Sequence, residues 1–140
     1  MQLARMQGGA HLTDHERLLA WRTAMALLVE CYRIARLLPA SERYGMASQI
    51  RRAAMSVPAN IAEGCGRVGP RDRLRFFSMA RGSLCEVRTL LSAIELVGYA
   101  EAVQLAKARD LSNHTGRLLN GLRRYVARSV RSAQSLVTSH

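Results

Sequence analysis

Lysine is almost absent from this chain of 140 residues: 20 of its 21 basic residues are arginine. Acidic residues are also scarce, and ten of them leave a formal net charge of +11. This imbalance excludes a surface of evenly mixed charge and favours a partner rich in negative charge. Arginine suits such a partner better than lysine does, since its planar guanidinium can donate two hydrogen bonds to one phosphate.

Cysteines, prolines and long apolar runs are few. The three cysteines form no Cys-x-x-Cys pair, which argues against a disulfide framework or a zinc site and favours a reducing compartment. No apolar run approaches the roughly 18 residues that span a membrane, and the first 12 residues lack the apolar stretch of a signal peptide. We therefore expect a soluble cytoplasmic protein without a membrane association.

The remaining pattern is typical of a helical domain. Apolar residues recur at spacings of three and four, and they never alternate as they would in a strand. A chain of this length forms one domain with a core of its own. We predict an all-α domain over residues 13–131, with helices at 13–38, 44–63, 70–97 and 100–129 and flexible tails at 1–12 and 132–140. The short connections favour an antiparallel up-and-down four-helix bundle.

Local signals mark the predicted helix ends. Thr13 and Glu16 have the spacing of a capping box at the start of the first helix. Pro70 suits the first position of the third helix, where a missing amide proton costs nothing. Gly64 is predicted to adopt the left-handed conformation that ends a helix, and Gly98 is predicted to close the third helix.

The first helix carries two apolar stripes. One contains Leu18, Trp21, Met25, Leu28, Tyr32 and Ala35, and the other contains Ala20, Ala24, Leu27, Cys31, Ile34 and Leu38. Together they are wider than one core-facing stripe requires. We therefore expect this helix to bury a second face against another copy of the chain.

The candidate catalytic and metal-binding patterns in this sequence each lack an element that their chemistry requires. Residues 64–69 match the glycine spacing of a dinucleotide-binding loop, but that loop follows a strand and this segment joins two helices. His11 and His15 stand four residues apart without a third ligand nearby. No nucleophile motif is present. We expect a protein without enzymatic activity, cofactor or metal.

Two arginine clusters indicate where a polyanion would bind. On the fourth helix, Arg117, Arg124, Arg128 and Arg131 fall within about 60° of one another, and no acidic residue follows Asp110. At the start of the third helix, where free amides and the helix dipole favour anions, the candidates are Arg67, Arg71 and Arg73. We predict that both clusters contact the phosphates of nucleic acid, with a simple solvated face as the alternative.

A separate polar row occupies the second and third helices. Its members, Gln49, Arg52, Asn60, Glu63, Arg81 and Glu86, recur at helical spacing. One interpretation makes Glu63 or Glu86 a catalytic acid or base. The interpretation that we favour is a structural, partly buried network of hydrogen bonds and ion pairs that fixes the register of the helices.

The central segments resemble the bacterial four-helix bundle proteins known as 23S rRNA intervening-sequence proteins. The likeness extends over residues 14–125 and is carried by residues 49–54 (QIRRAA), 56–64 (SVPANIAEG), Arg67, Phe76, 80–84 (ARGSL), Glu86 and 118–122 (LLNGL), with Trp21, Ala24, Pro39, Glu42, Tyr44 and Gly45. Gly69 departs from the family, whose members often carry a Ser or Thr cap there. The arginine-rich end beyond Tyr125 also lies outside the pattern.

This resemblance implies a four-helix bundle that assembles as a ring-shaped homopentamer. It also implies an association with RNA, because the family is encoded within rRNA insertions. A distant branch serves diversity-generating retroelements as an accessory protein that binds RNA and the reverse transcriptase. We therefore expect a non-enzymatic protein that binds RNA, or less readily DNA, through its arginine-rich surfaces. The alternative is an interaction scaffold that docks an acidic protein such as a reverse transcriptase.

Overall fold

A computed structural model describes residues 14–139, which form helices and turns without any strand. The four helices are α1 (Asp14–Leu37), α2 (Met46–Gly66), α3 (Pro70–Val97) and α4 (Ala102–Thr138), and a short 3-10 turn lies at Ala40–Glu42. Helix α1 packs against α2 and α4, and α3 packs against the same two helices. The predicted all-α four-helix bundle is therefore confirmed. No helix within this range is long and apolar enough to cross a membrane.

The core is formed by one apolar stripe from each helix. On α1 this stripe is the predicted one: Ala20, Ala24, Leu27, Cys31 and Ile34, with Leu38 just beyond the end of the helix, are all at most 9% exposed. The second stripe of α1 is buried at Leu28 and Ala35, but Tyr32 is 39% exposed. The fold of a single chain thus leaves part of the second stripe in solvent.

Two helix ends follow the local signals. Pro70 is the first residue of α3, and Gly98 ends that helix in the left-handed region, with a φ of 90°. The amide of Gly98 donates to the carbonyl of Glu95 at 3.0 Å, as expected for this type of cap. The predicted start at Thr13, with its capping box, lies outside the described residues, as does the N-terminal tail.

The predicted end of α2 is wrong. Gly64 lies inside the helix, which continues to Gly66, and its φ is not in the left-handed region. Its role is steric instead, because a Cβ added at Gly64 would lie 2.6 Å from a ring carbon of Phe77 on α3. Phe77 is 1% exposed, so the glycine gives this core ring its space.

The predicted end of α4 at Ser129 is also wrong. The helix continues to Thr138, because no proline or glycine interrupts the sequence after Gly121. Residues 131–139, which include most of the predicted C-terminal tail, are exposed along their whole length. Helix α4 begins at Ala102, two residues later than predicted, behind a capping box formed by Glu101 and Gln104.

One buried carboxylate joins α1 to α4. Glu30 is 7% exposed, and it accepts a hydrogen bond from Arg33 Nε at 2.9 Å and pairs with Lys107 Nζ at 3.5 Å. Burial acts to raise the pKa of Glu30, but the hydrogen bond and charge of Arg33, with the charge of Lys107, hold the pKa below its ordinary value of 4.5. Arg33 also donates to the carbonyl of Gln104 at 2.6 Å, so the same group ties both helices together.

We predict that Gly64→Ala destabilises the fold although alanine favours helices. The new methyl group would overlap the Phe77 ring, and overpacking of this kind costs about 1–3 kcal/mol. Gly82→Ala is the matched control, since Gly82 lies within α3 with nothing within 4 Å of an added Cβ, and it should stabilise the fold by about 1 kcal/mol. Urea unfolding of both variants measures the two changes, and equal effects would contradict the role given to Gly64.

We also predict that Glu30 contributes to stability above its unfolded pKa. Because its folded pKa is lowered, this contribution is present above about pH 4.5 and is lost as the pH falls through the folded pKa. Glu30→Gln should lower the free energy of unfolding at pH 7 by about 1–3 kcal/mol, and the difference from the parent should shrink below pH 4. Urea titrations across this range test it, with the exposed Asp110→Asn as the control.

Candidate nucleic-acid interface

A groove lies where the start of α1 meets α4, and three of the predicted arginines line it. Its volume is about 290 Å³, and its lining consists of Glu16 from α1 with Arg117, Leu118, Gly121, Leu122, Arg124, Tyr125 and Arg128 from α4. Arg117, Arg124 and Arg128 are exposed. Within residues 14–139 their guanidinium groups form neither a hydrogen bond nor an ion pair. Three cationic groups therefore point into one groove with their donors available.

A glycine also lines this groove. Gly121 lies between Arg117 and Arg124 on α4, and an added Cβ there would meet nothing within 4 Å. A glycine inside a helix costs about 1 kcal/mol relative to alanine, and no contact within the described chain requires it. The absence of a side chain leaves the helix backbone open between the arginines, so a ligand can approach it closely.

The other arginines of α4 are placed differently. Arg131 is exposed on the same stripe, one turn beyond the groove, and does not line it. Arg123 faces α3, where its Nε donates to Ser78 Oγ at 3.4 Å. Burial lowers the pKa of Arg123, and the charge of Arg81 lowers it further. Arg123 therefore joins helices, and Arg131 extends the exposed charge.

The second predicted cluster is partly neutralised by its own neighbours. Arg67 pairs with Glu63 at 3.3 Å and with Asp72 at 3.9 Å, and its guanidinium lies 4.6 Å from the ring centre of Phe76. Arg75 stacks on the same ring at 4.8 Å and pairs with Asp72 at 3.5 Å. These contacts hold the start of α3 in place and use much of the charge that the sequence offers there.

Arg71 and Arg73 differ from each other although they are two residues apart. Arg71 is exposed and has no partner within the described range. Arg73 is half-buried, and its Nε donates to the carbonyl of Arg67 at 2.6 Å, which closes the turn between α2 and α3. Arg71 is therefore available to an anion in solvent, whereas Arg73 belongs to the inner side of this end of the bundle.

The polar row on α2 and α3 has a neutral centre. Ser83 Oγ donates to Ser56 Oγ at 2.7 Å, and the Asn60 amide donates to the carbonyl of Ser56 at 2.9 Å. The charged members are exposed, and Glu63 pairs with Arg67, as described above. Gln49, Arg52 and Glu86 share a shallow groove of about 250 Å³ with the two serines, while Arg81 lies outside it. The predicted ion pairs do not form between these residues within the described part of one chain.

One buried cation was not predicted from the sequence. Arg17 is 8% exposed and lies on the core stripe of α1, one turn before Ala20 and two turns before Ala24. The sequence did indicate this burial, because Arg17 lies three residues before Ala20 and seven before Ala24, which is the spacing of one helix face. Within the described segment, no group of three or more His, Cys, Asp or Glu side chains could hold a metal ion.

Comparison with known proteins identifies the family. The sequence model described as 23S rRNA-intervening sequence protein matches residues 16–121 of this chain. The fold is similar to a crystal structure of a protein with unknown function from the S23 ribosomal protein family of Bacteroides thetaiotaomicron, with a TM-score of 0.72 and 18% identity over 78% of this chain and 98% of that one. Comparison with curated proteins gives no match. Because the family model matches most of the chain, this protein belongs to the 23S rRNA-intervening sequence protein family.

Proposed function

We propose that this protein binds nucleic acid, RNA in preference to DNA, through the groove between α1 and α4 and without catalysing a reaction. The observation that carries the proposal is the set of three exposed guanidinium groups, Arg117, Arg124 and Arg128, that line this groove without a partner. Helical rise separates the latter two by about 6 Å and the first two by about 10 Å, so one strand can meet all three. The preference for RNA rests on the family's description.

The charge of the whole chain supports the same proposal. A net charge of +11 attracts polyanions over a distance, and arginine forms paired hydrogen bonds with phosphate oxygens on contact. Arg131 and Arg71, which do not line the groove, add further exposed positive charge. Among the described residues that line the groove, Glu16 is the only acidic one, and one carboxylate cannot balance three cations.

The proposal includes an antiparallel bundle as the subunit of a homopentameric ring. Antiparallel packing is supported by contacts in which residue numbers rise on one helix and fall on the next. Between α3 and α4 these are Ser78 with Arg123, Arg88 with Ser112, and Glu95 with Arg109; between α1 and α4 they are Glu30 with Lys107, and Arg33 with Gln104.

Assembly is supported by apolar side chains that a single chain leaves exposed. Val29 is 65% exposed on α1, and Met55 is 46% exposed on α2. Tyr32 and Met55 line a groove of about 480 Å³ between these two helices, together with Ser48, Ser56, Arg51 and Arg52. Another copy of the chain that covered this surface would complete the burial of the second stripe of α1. We place the assembly in the cytoplasm, since the free thiols of Cys31 and Cys65 suit a reducing compartment.

Replacing Arg117, Arg124 and Arg128 together by Glu should abolish the retention of RNA in a mobility-shift assay. The matched control replaces Arg22, Arg36 and Arg43, which are exposed elsewhere, and changes the net charge by the same amount. The parent should also lose affinity steeply as salt rises, because bound phosphates release counterions. RNA binding that is weak and insensitive to salt, together with a stoichiometric protein partner, would contradict the proposal and favour a scaffold.

Light scattering should give the parent a mass near five times the 15.5 kDa of one chain. The double variant Val29→Glu and Met55→Glu should shift this mass towards the monomer, because it places charge on the apolar surface of α1 and α2. The same substitution at the exposed Val103 on α4 serves as the control and should leave the mass unchanged. A parent that remains at 15.5 kDa at micromolar concentration would refute the ring.

A further inference from the structure

The end of the bundle near the α2–α3 turn contains two guanidinium groups with no carboxylate partner. Arg17 is 8% exposed, and it forms no hydrogen bond and no ion pair with any part of the chain that the structure describes. Arg73 lies close enough for its charge and that of Arg17 to act on each other. An unpaired charge at such a position is unfavourable, and a second charge of the same sign beside it adds to the cost.

Within the described residues, no carboxylate forms an ion pair with Arg17 or Arg73. Both guanidiniums act on the thiol of Cys65, which is 2% exposed, and burial raises the pKa of this thiol, so the thiol is neutral near pH 7. Tyr125 is the other group that acts on Arg73. Burial lowers the pKa of Arg73, and the charge of Arg17 lowers it further. The neutral thiol of Cys65 therefore supplies no counter-charge to the two arginines.

Both arginines have donors that remain available. The Nε of Arg73 is fixed by the carbonyl of Arg67 at 2.6 Å, which leaves its two terminal nitrogens without a hydrogen bond in the described range. Across residues 14–139, no enclosed side-chain nitrogen or oxygen lacks a partner. The guanidinium nitrogens of Arg17, which have none, must therefore each retain some contact with solvent. This contact with solvent is where an anion would meet Arg17.

We infer that Arg17 and Arg73, at the end of the bundle that contains the starts of α1 and α3 and the end of α4, form a binding site for one phosphate group. Two guanidiniums present the planar, multiple donors that match the oxygens of a phosphate, and its charge would offset the repulsion between them. Tyr125 also lines the groove of Arg117, Arg124 and Arg128, so the site adjoins the proposed RNA surface. The phosphate could belong to a bound RNA strand or to a small free molecule.

The site is tested by thermal unfolding in inorganic phosphate and in chloride of equal ionic strength at pH 7. Phosphate should raise the Tm of the parent by about 3 °C or more beyond chloride, because it binds the folded state alone. Arg17→Met should lose this shift, and its Tm in chloride should equal or exceed that of the parent, since an unpaired charge has been removed. A residue with only a structural role would instead lower the Tm in chloride.

Two further variants make the result independent of RNA binding and of misfolding. The triple Glu variant of Arg117, Arg124 and Arg128 should lose RNA binding but keep the phosphate-dependent rise in Tm. Failure of the RNA proposal and failure of the phosphate proposal can therefore be distinguished. Arg73→Gln should weaken phosphate binding at least tenfold in calorimetric titration even if Arg17→Met does not fold. The inference is overturned if the parent shows no shift beyond chloride or if both single variants keep it.

The source of the phosphate follows from a third measurement. A single-stranded RNA without a terminal phosphate should protect the parent against unfolding, and competing inorganic phosphate should reduce that protection if the site holds a backbone phosphate. If RNA and inorganic phosphate instead protect additively, the site takes a small free phosphate compound. Both results require the phosphate shift in the parent and therefore support the site.

Discussion

The scarcity of carboxylates is the constraint on which the arrangement of this molecule depends. Ten acidic residues face 21 basic ones, and the structure uses them mainly where helices or turns meet. Glu30 joins α1 to α4, Glu95 pairs with Arg109 between α3 and α4, and Glu42 accepts hydrogen bonds from the amide of Met46 and the hydroxyl of Tyr99. The carboxylates that hold the bundle together are therefore unavailable to the arginines on its surface, and the charge of these arginines is not balanced.

The same constraint divides the arginines into two groups. Those that meet a carboxylate, a carbonyl or a hydroxyl of another helix are part of the fold: Arg88, for example, donates to the hydroxyl and carbonyl of Ser112 at 2.9 and 3.1 Å. A Cβ added at Gly116 would lie 2.5 Å from the same guanidinium, so a small residue on α4 makes room for it. Arginines without such a neighbour, such as Arg117 and Arg124, keep their donors for a ligand.

The sequence allowed prediction of features that depend on neighbours along the chain. Helical periodicity, the proline at the start of α3 and the glycine that ends α3 are local, and all three were predicted correctly. The role of Gly64 was not, because its reason is the ring of Phe77, which belongs to another helix. The different positions of Arg71 and Arg73 could not be predicted for the same reason. Nothing in the neighbouring sequence shows that Arg73 turns inward whereas Arg71 faces solvent. The grouping of Arg117, Arg124 and Arg128 in one groove followed from spacing on a single helix, but the part of α1 that closes the groove did not.

Assembly and the binding of a polyanion are physically linked in the proposed ring. Five chains at +11 each would carry +55, and the repulsion between them opposes association. The apolar surface around Val29 and Met55 favours association, but Arg51 and Arg52 line the adjacent groove and bring positive charge to the same side. A polyanion that neutralises the arginines of α4 lowers the total repulsion without touching that interface. Binding of RNA would therefore stabilise the ring, and by reciprocity the ring would bind RNA more tightly than a single chain does.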